Sequence, residues 1–276
     1  MELNFKVDQD RCTNCKKCVS DCPVLIINGK TPFPEIKEGK EGNCLKCQHC
    51  LAVCPEGAIS ILGNSPEDSI SIDAPVADSE GLANLMKLRR STRRFAKVGL
   101  ERELIHDLMI KASYAPTAKN ENAVQMTVVD SREQMLKLRE LTYEAIKQRK
   151  ETQGLPSEHQ QYGNFQKLWD EKKIDVLFRN APHILIVSNP ISGTLPEIDA
   201  TITLTYFDLL ANSQGISTLW DGFATSVIEE VAPELKSTFG IPDDHKVVMA
   251  LLFGRAGVKY ARSIQNEIPN LKVVSL

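Results

Sequence analysis

The sequence predicts an α+β body preceded by a small cysteine-rich domain. Three observations predict it. All eight cysteines fall within residues 12–54, an acidic stretch without Lys or Arg follows them, and the rest of the chain mixes helical and strand periodicities in irregular order.

The chain has 276 residues, enough for one large domain and a small one. It is 42% hydrophobic and 25% charged with net charge −3, which gives no reason to expect nucleic acid or a membrane surface as partner. The opening MELNFKVDQD has neither a basic region nor an apolar core, so it does not read as a signal peptide. No apolar run approaches the ~20 residues of a membrane span. The expected location is the cytoplasm, where thiols stay reduced unless a metal takes them.

The segment NSPEDSISIDAPVADSE (residues 64–80) carries five carboxylates, two prolines and no basic residue, which reads as a solvated linker. The expected division is a head of residues 1–62, a linker of 63–80 and a body of 81–276.

The head is organised by an internal repeat, CTNCKKCVSDCP and CLKCQHCLAVCP, each C-x2-C-x2-C-x3-C-P. Its cysteines are Cys12, Cys15, Cys18 and Cys22, then Cys44, Cys47, Cys50 and Cys54. Disulfides would need an oxidising compartment and a geometry that thiols two residues apart rarely reach. Zinc needs four ligands, usually as two separated C-x2-C pairs, and leaves the third cysteine and the Cys-Pro of each copy unexplained. A [4Fe–4S] cubane explains both, because three cysteines wrap one cluster in a single loop and the fourth turns away to another. Zinc remains the competing occupant.

The pattern is similar to that of bacterial two-cluster ferredoxins, over roughly residues 3–62. The resemblance implies one cluster on Cys12, Cys15, Cys18 and Cys54, and a second on Cys44, Cys47, Cys50 and Cys22. Pro23 and Pro55 would end each loop and shield its cluster. The intervening VLIINGKTPFPEIKEGKEGN is expected to form an extended loop or hairpin over the second cluster. His49 reads as an exposed bystander.

In the body, LANLMKLRR (82–90) and ERELIHDLMIKASYA (101–115) have helical spacing, and VQMTVVD (124–130) reads as a strand. REQMLKLRELTYEAIKQRK is an amphipathic helix, while HQQYGNFQKLWDEKK is polar, dotted with aromatics and undecided in form. PHILIVSN (182–189) is a buried strand. DATITLTYFDLLANSQ (199–214) is an apolar helix ended by Gly215, and ISTLW and HKVVMALLFG are two further strands. No G-x-G-x-x-G and no P-loop occurs, which argues against a Rossmann dinucleotide domain or an NTPase.

RRSTRRF (89–95) concentrates four guanidiniums and two hydroxyls, a composition suited to gripping an anion. On charge alone, a solvated basic loop is the better reading. With SYAPTAKNENAVQMTVV, FRNAPHILIVS, DATITLTYFDLLANSQGISTLWDGF and LLFGRAGVKYARS in order, the body resembles the nitroreductase-like flavoproteins, which bind FMN between the subunits of a homodimer. The resemblance implies Arg89, Ser91 and Arg262 on the FMN phosphate, with Arg90 close by. Arg93 would approach the N1/C2 carbonyl edge of the flavin, stabilising its anionic reduced form. Pro116, Thr117 and Asn120 would come from the partner subunit. Backbone N–H groups at Asp221 and Gly222 would face N5, and Trp220 would serve packing. The chain departs from the family pattern at Asn122, Ala123 and Val124, where Gln, Pro and Trp are usual, and at Asn266, where some relatives carry arginine. Residues 151–173 are expected to line the substrate mouth.

Head and body together imply an FMN oxidoreductase fed through two [4Fe–4S] clusters by a low-potential donor such as ferredoxin, reducing an electron-poor organic acceptor such as a nitroaromatic or quinone. Because the flavin carries the chemistry, no catalytic side chain is assigned. Two alternatives stand beside it: a non-enzymatic electron carrier or redox sensor, and an NAD(P)H-driven flavoprotein exporting electrons through the clusters.

Overall fold

The computed structural model describes residues 2–265 and 270–275, so Asn266 lies outside the described residues. The chain divides into two units, residues 1–76 with 119–121, and residues 77–118 with 122–276.

The first unit has little regular structure. Strand β1 (Lys6–Val7), helix α1 (Lys17–Asp21), strands β2 (Ile27–Asn28) and β3 (Glu35–Ile36), helix α2 (His49–Ala52) and strand β4 (Ile59–Ser60) are all short. β1 pairs antiparallel with β4, and β2 with β3, so the segment between the cysteine motifs is a hairpin. Order comes instead from a backbone repeat. Asn14 (φ 53°) and Lys16 (φ 59°) are left-handed in the first loop, as are Lys46 (φ 55°) and Gln48 (φ 58°) in the second. Leu25 (φ 53°) and Gly57 (φ 55°) occupy equivalent positions after each Cys-Pro. Each non-glycine residue held there costs about 1 kcal/mol, so the conformation persists only where the surroundings over-determine it. The core includes Ile26, Ile27, Leu51, Ile59 and Ile61 packed around Cys18, Cys22 and Cys50.

This unit extends beyond the expected boundary. Ser65 opens a 3-10 turn over Pro66–Asp68, and Glu67 pairs with Arg11. Helix α3 (Ser79–Leu88) then starts inside the expected linker, because the Asp78 side chain caps the Gly81 N–H at 2.8 Å.

The second unit continues with α4 (Arg102–Ala112), β5 (Gln125–Val129), α5 (Arg132–Thr152), α6 (Gln161–Lys172) and β6 (His183–Pro190). It ends with α7 (Pro196–Ser213), β7 (Ser217–Trp220), α8 (Gly222–Ser226), a π-helical turn (Val227–Val231), α9 (Leu235–Thr238) and β8 (His245–Gly254). The strands form one antiparallel sheet in the order β5-β6-β8-β7. Alternation along the central strands serves two cores. Ile184, Ile186, Ala250 and Leu252 face α5, α6 and the π-helical turn through Met135, Ile146, Tyr162 and Val227. Leu185, Val187, Leu251 and Phe253 face α4 and α7 through Ile105, Leu108, Leu204 and Phe207. With both faces covered, residues 184–187 of β6 are apolar without alternation. The undecided 159–173 segment is helical, with Tyr162, Phe165 and Trp169 along one face; Trp169 stacks on Tyr143 at 4.8 Å.

Candidate functional site

In the first unit the eight thiols surround two separate cavities. One is lined by Cys12, Cys15, Cys18 and Cys54. The other is lined by Cys44, Cys47, Cys50 and Cys22, with Ile27 and Ile36 of the hairpin beside them. Each cavity thus takes three cysteines from one motif and the fourth from the other. Among the described residues, no three His, Cys, Asp or Glu side chains lie close enough to share a single metal ion. Four thiols around each cavity match the four thiolates that a [4Fe–4S] cluster takes. Lys46 N–H donates to Cys44 Sγ and Ala58 N–H to Cys54 Sγ, both at 3.3 Å, the kind of contact that stabilises a thiolate cluster. Burial pushes the Cys50 thiol up to about 12 and raises that of Cys18, so loading iron there must displace protons. His49 is exposed beside Asp21, at 3.2 Å, and lines the second cavity's outer wall.

The candidate site of the second unit begins where α3 ends. The sheet captures RRSTRRF through Thr92 N–H, which donates to Thr218 O at 2.8 Å, and through a bridge of Ser91 to Thr218. This fixes Arg89 and Arg90 as half-buried residues. Arg89 Nη1 and Arg90 Nε are shielded from solvent and have no hydrogen-bond partner. Buried guanidinium donors without acceptors are costly unless an anion completes them. Arg90 also donates to Lys87 O, and Arg89 Nε lies 3.8 Å from Asp208 Oδ2.

Asp208, on α7, is a residue the sequence reading missed. It is buried at 4% exposure, and both oxygens are engaged. Oδ1 accepts from Thr218 Oγ1 (2.5 Å) and Asn212 Nδ2 (2.9 Å), and Oδ2 from Trp220 Nε1 (2.9 Å). Trp220 is therefore oriented by a hydrogen bond as well as by packing. A carboxylate set in the apolar run of residues 206–210 is the sequence signal that could have revealed it.

A pocket opens beside these residues, lined by Arg93, Leu177, Arg179, Leu219, Trp220, Asp221, Gly222 and Phe223. The structure so brings Arg93 together with Asp221 and Gly222. The Asp221 N–H, however, donates to Ala250 O at 2.8 Å, while Gly222 N–H makes no hydrogen bond among the described residues. Of the two backbone donors expected from sequence, only that of Gly222 is open. Arg179 is new. It sits at φ 51° in a loop that buried Asp175 ties down, accepting from the N–H groups of Phe178 and Asn180 (each 2.9 Å) and from Arg139 Nε (2.7 Å). Helix α6 supports the opposite wall, with Phe165 against Phe223 at 5.2 Å and the Tyr162 hydroxyl donating to Phe223 O.

The other expected residues lie elsewhere. Pro116 and Thr117 do not line this pocket in their own chain; Thr117 Oγ1 accepts from Asn122 N–H at 3.0 Å. Residues 119–121 group with the first unit, where Asn120 Nδ2 donates to Leu45 O at 3.1 Å. Arg262 is exposed in the segment after β8. No helix among the described residues is long and apolar enough to cross a membrane.

Paired four-thiol cavities and a guanidinium-lined pocket on an α+β sheet define an iron–sulfur oxidoreductase. Residues 86–255 match the nitroreductase family, and the chain belongs to that family. Residues 11–59 match the 4Fe-4S dicluster domain. A ferredoxin of Methanothermococcus thermolithotrophicus is 32% identical over 57 residues, which is 20% of this chain and 92% of that protein. The fold is similar to an FMN-bound nitroreductase of Bacteroides fragilis at TM-score 0.59 and 18% identity, covering 72% of this chain and 100% of that one. An FMN-bound nitroreductase of Desulfitobacterium hafniense gives TM-score 0.53 and 19% identity over 69% of this chain and 98% of that one.

Proposed function

We propose that this protein is an iron–sulfur flavoprotein that carries electrons from a low-potential donor of the ferredoxin type, through two [4Fe–4S] clusters, to FMN and on to an electron-poor organic acceptor. The observation that carries the reading is the reciprocal set of cysteines around two cavities, in a chain whose larger part belongs to the nitroreductase family. A dicluster domain exchanges single electrons, whereas flavin accepts one and delivers two, so the fusion suits conversion between the two regimes.

The second unit fits FMN on its own observations. The unpartnered donors of Arg89 and Arg90 offer a phosphate what it needs, Arg93 supplies positive charge in the pocket, and Gly222 presents an open N–H. Bound there, FMN would supply hydride chemistry; the protein would supply the anion grip, the orientation and the shaped walls. Arg262, Pro116 and Thr117 remain proposed contacts, the last two across a homodimer. Exposed apolar side chains on α3 (Leu82, Met86, Leu88) and α7 (Ile198, Tyr206) support such an assembly. Residues 161–172, packed against Phe223, would shape the acceptor's entrance. Thiolate clusters suit a reducing compartment such as the cytoplasm.

The test is anaerobic stopped-flow on holoprotein of measured iron, sulfide and flavin content, offering reduced ferredoxin, NADH and NADPH in turn. The reading expects clusters to reduce before flavin with ferredoxin, and acceptor turnover above that of free FMN. Flavin reduced first by NAD(P)H would reverse the direction of flow. Titrating centres without turnover would make the protein a carrier, and protein that holds no flavin would sink the reading.

A further inference from the structure

The Asp221 side chain has a place in the pocket that its backbone role does not explain. It is buried at 4% exposure and lines the pocket between Trp220 and Gly222. Oδ1 accepts the Ala224 N–H at 3.1 Å, capping α8, whereas Oδ2 is shielded from solvent and has no hydrogen-bond partner. A carboxylate oxygen buried without a donor is expensive, while a protonated one becomes a donor that can serve a ligand.

We propose that Asp221 is the proton-holding group of this pocket, carrying a proton on Oδ2 and releasing it to an acceptor reduced there. The proposal rests on the pocket being the flavin site. Two-electron reduction of an acceptor takes up a hydride, supplied by reduced flavin, and a proton, supplied by Oδ2. The acceptor gains both, the flavin is oxidised, and the Asp221 carboxylate recovers its proton from solvent.

The surroundings agree. Arg93 and Arg179 share the pocket wall, Asp175 anchors the Arg179 loop, and the Tyr162 hydroxyl approaches from α6 by way of Phe223 O. Burial dominates and pushes Asp221 up to about 7, assisted by the charge of Asp175 and opposed by the Ala224 and Phe223 N–H groups and by Arg179. A group held near neutrality is suited to giving and regaining a proton.

Asp221→Asn tests this while keeping the α8 cap, because asparagine caps as well as aspartate. Infrared spectra of wild type minus variant should show a buried protonated-carboxyl band at pH 6 that fades as pH rises past about 7. Oxidised-flavin absorbance should show a break in the same range in wild type and none in the variant. Reoxidation of pre-reduced flavin by a nitroaromatic should slow about 100-fold. A missing carboxyl band, a break that survives in the variant, or a reoxidation rate within about twofold of wild type would each overturn the proposal. Wild type without flavin would refute the flavin reading and leave the infrared result to decide proton holding. If the variant does not fold, the band in wild type labelled with carboxyl-13C aspartate decides it.

Discussion

Asp208→Asn is a severe change made by replacing one atom. Asp208 takes donors on both oxygens: Thr218 and Asn212 on Oδ1, Trp220 on Oδ2, with Arg89 3.8 Å beyond. The new amide would turn its NH2 toward Thr218, whose hydroxyl can accept as well as donate. That rotamer leaves the Asn212 NH2 facing another donor and forfeits one bond to a charged acceptor, about 1.5–3 kcal/mol. It also weakens the Trp220 bond by about 1 kcal/mol and strips Arg89 of its countercharge. Relief of a buried charge offsets part of this, so the expected net loss is about 3 kcal/mol. Both tryptophans, Trp169 and Trp220, lie in the second unit, so fluorescence in a urea titration reports on that unit alone. With a slope of about 2 kcal/mol/M, the midpoint should fall by about 1.5 M. A midpoint unchanged within about 0.2 M, with an unchanged slope, would show that the four partners do not depend on the carboxylate.

Gly254→Ala should destabilise the same unit by about 2–3 kcal/mol in that titration, because at φ 155° a Cβ would lie 2.8 Å from Pro182 Cδ and closer still to Cγ. Oxidative chelation of iron should abolish visible cluster absorbance and open residues 1–76 to protease, leaving the tryptophan midpoint in place; protection that outlasts the iron would mean the short strands suffice. The Asp221 carboxyl, raised from an ordinary 3.8 to about 7, binds its proton more tightly in the fold than when unfolded. Its contribution is complete below about pH 4 and lost as pH climbs through about 7, so Asp221→Asn should be the more stable protein at pH 8, by up to about 4 kcal/mol, and show no advantage at pH 4.

Much of this molecule was readable in one dimension because its signals are local. Cysteine spacing specifies which thiols share a loop, and the two-core alternation of β6 and β8 survives as long apolar runs. The α6 helix was harder: Tyr162, Phe165 and Trp169 follow helical spacing, but polar residues and Gly163 between them mask it. The start of α3 was obscured by composition, since acid, serine and proline suggest a linker even where Asp78 is an N-cap. Arg179 left no local trace. Its place in the pocket depends on nearby Asp175, which is itself fixed by Arg139 and Tyr143 of α5, and that helix meets Asp175 only in the folded core.

The two buried aspartates near RRSTRRF and the pocket show why a residue type does not predict its role. Asp208 and Asp221 are equally buried, each at 4% exposure. The fold surrounds Asp208 with donors from α7, β7 and the end of α3, and so uses it as a fixed acceptor that aligns Trp220 and a guanidinium. Around Asp221 it sets the Ala224 N–H on Oδ1, with the Phe223 N–H close by, and leaves Oδ2 shielded from solvent without a hydrogen-bond partner. Burial without compensation favours the neutral acid, and burial with compensation does not. Replacing each by asparagine should therefore move stability in opposite directions at pH 8, down for Asp208→Asn and up for Asp221→Asn. Burial alone would give the two variants the same sign, and only the hydrogen-bond inventory separates them.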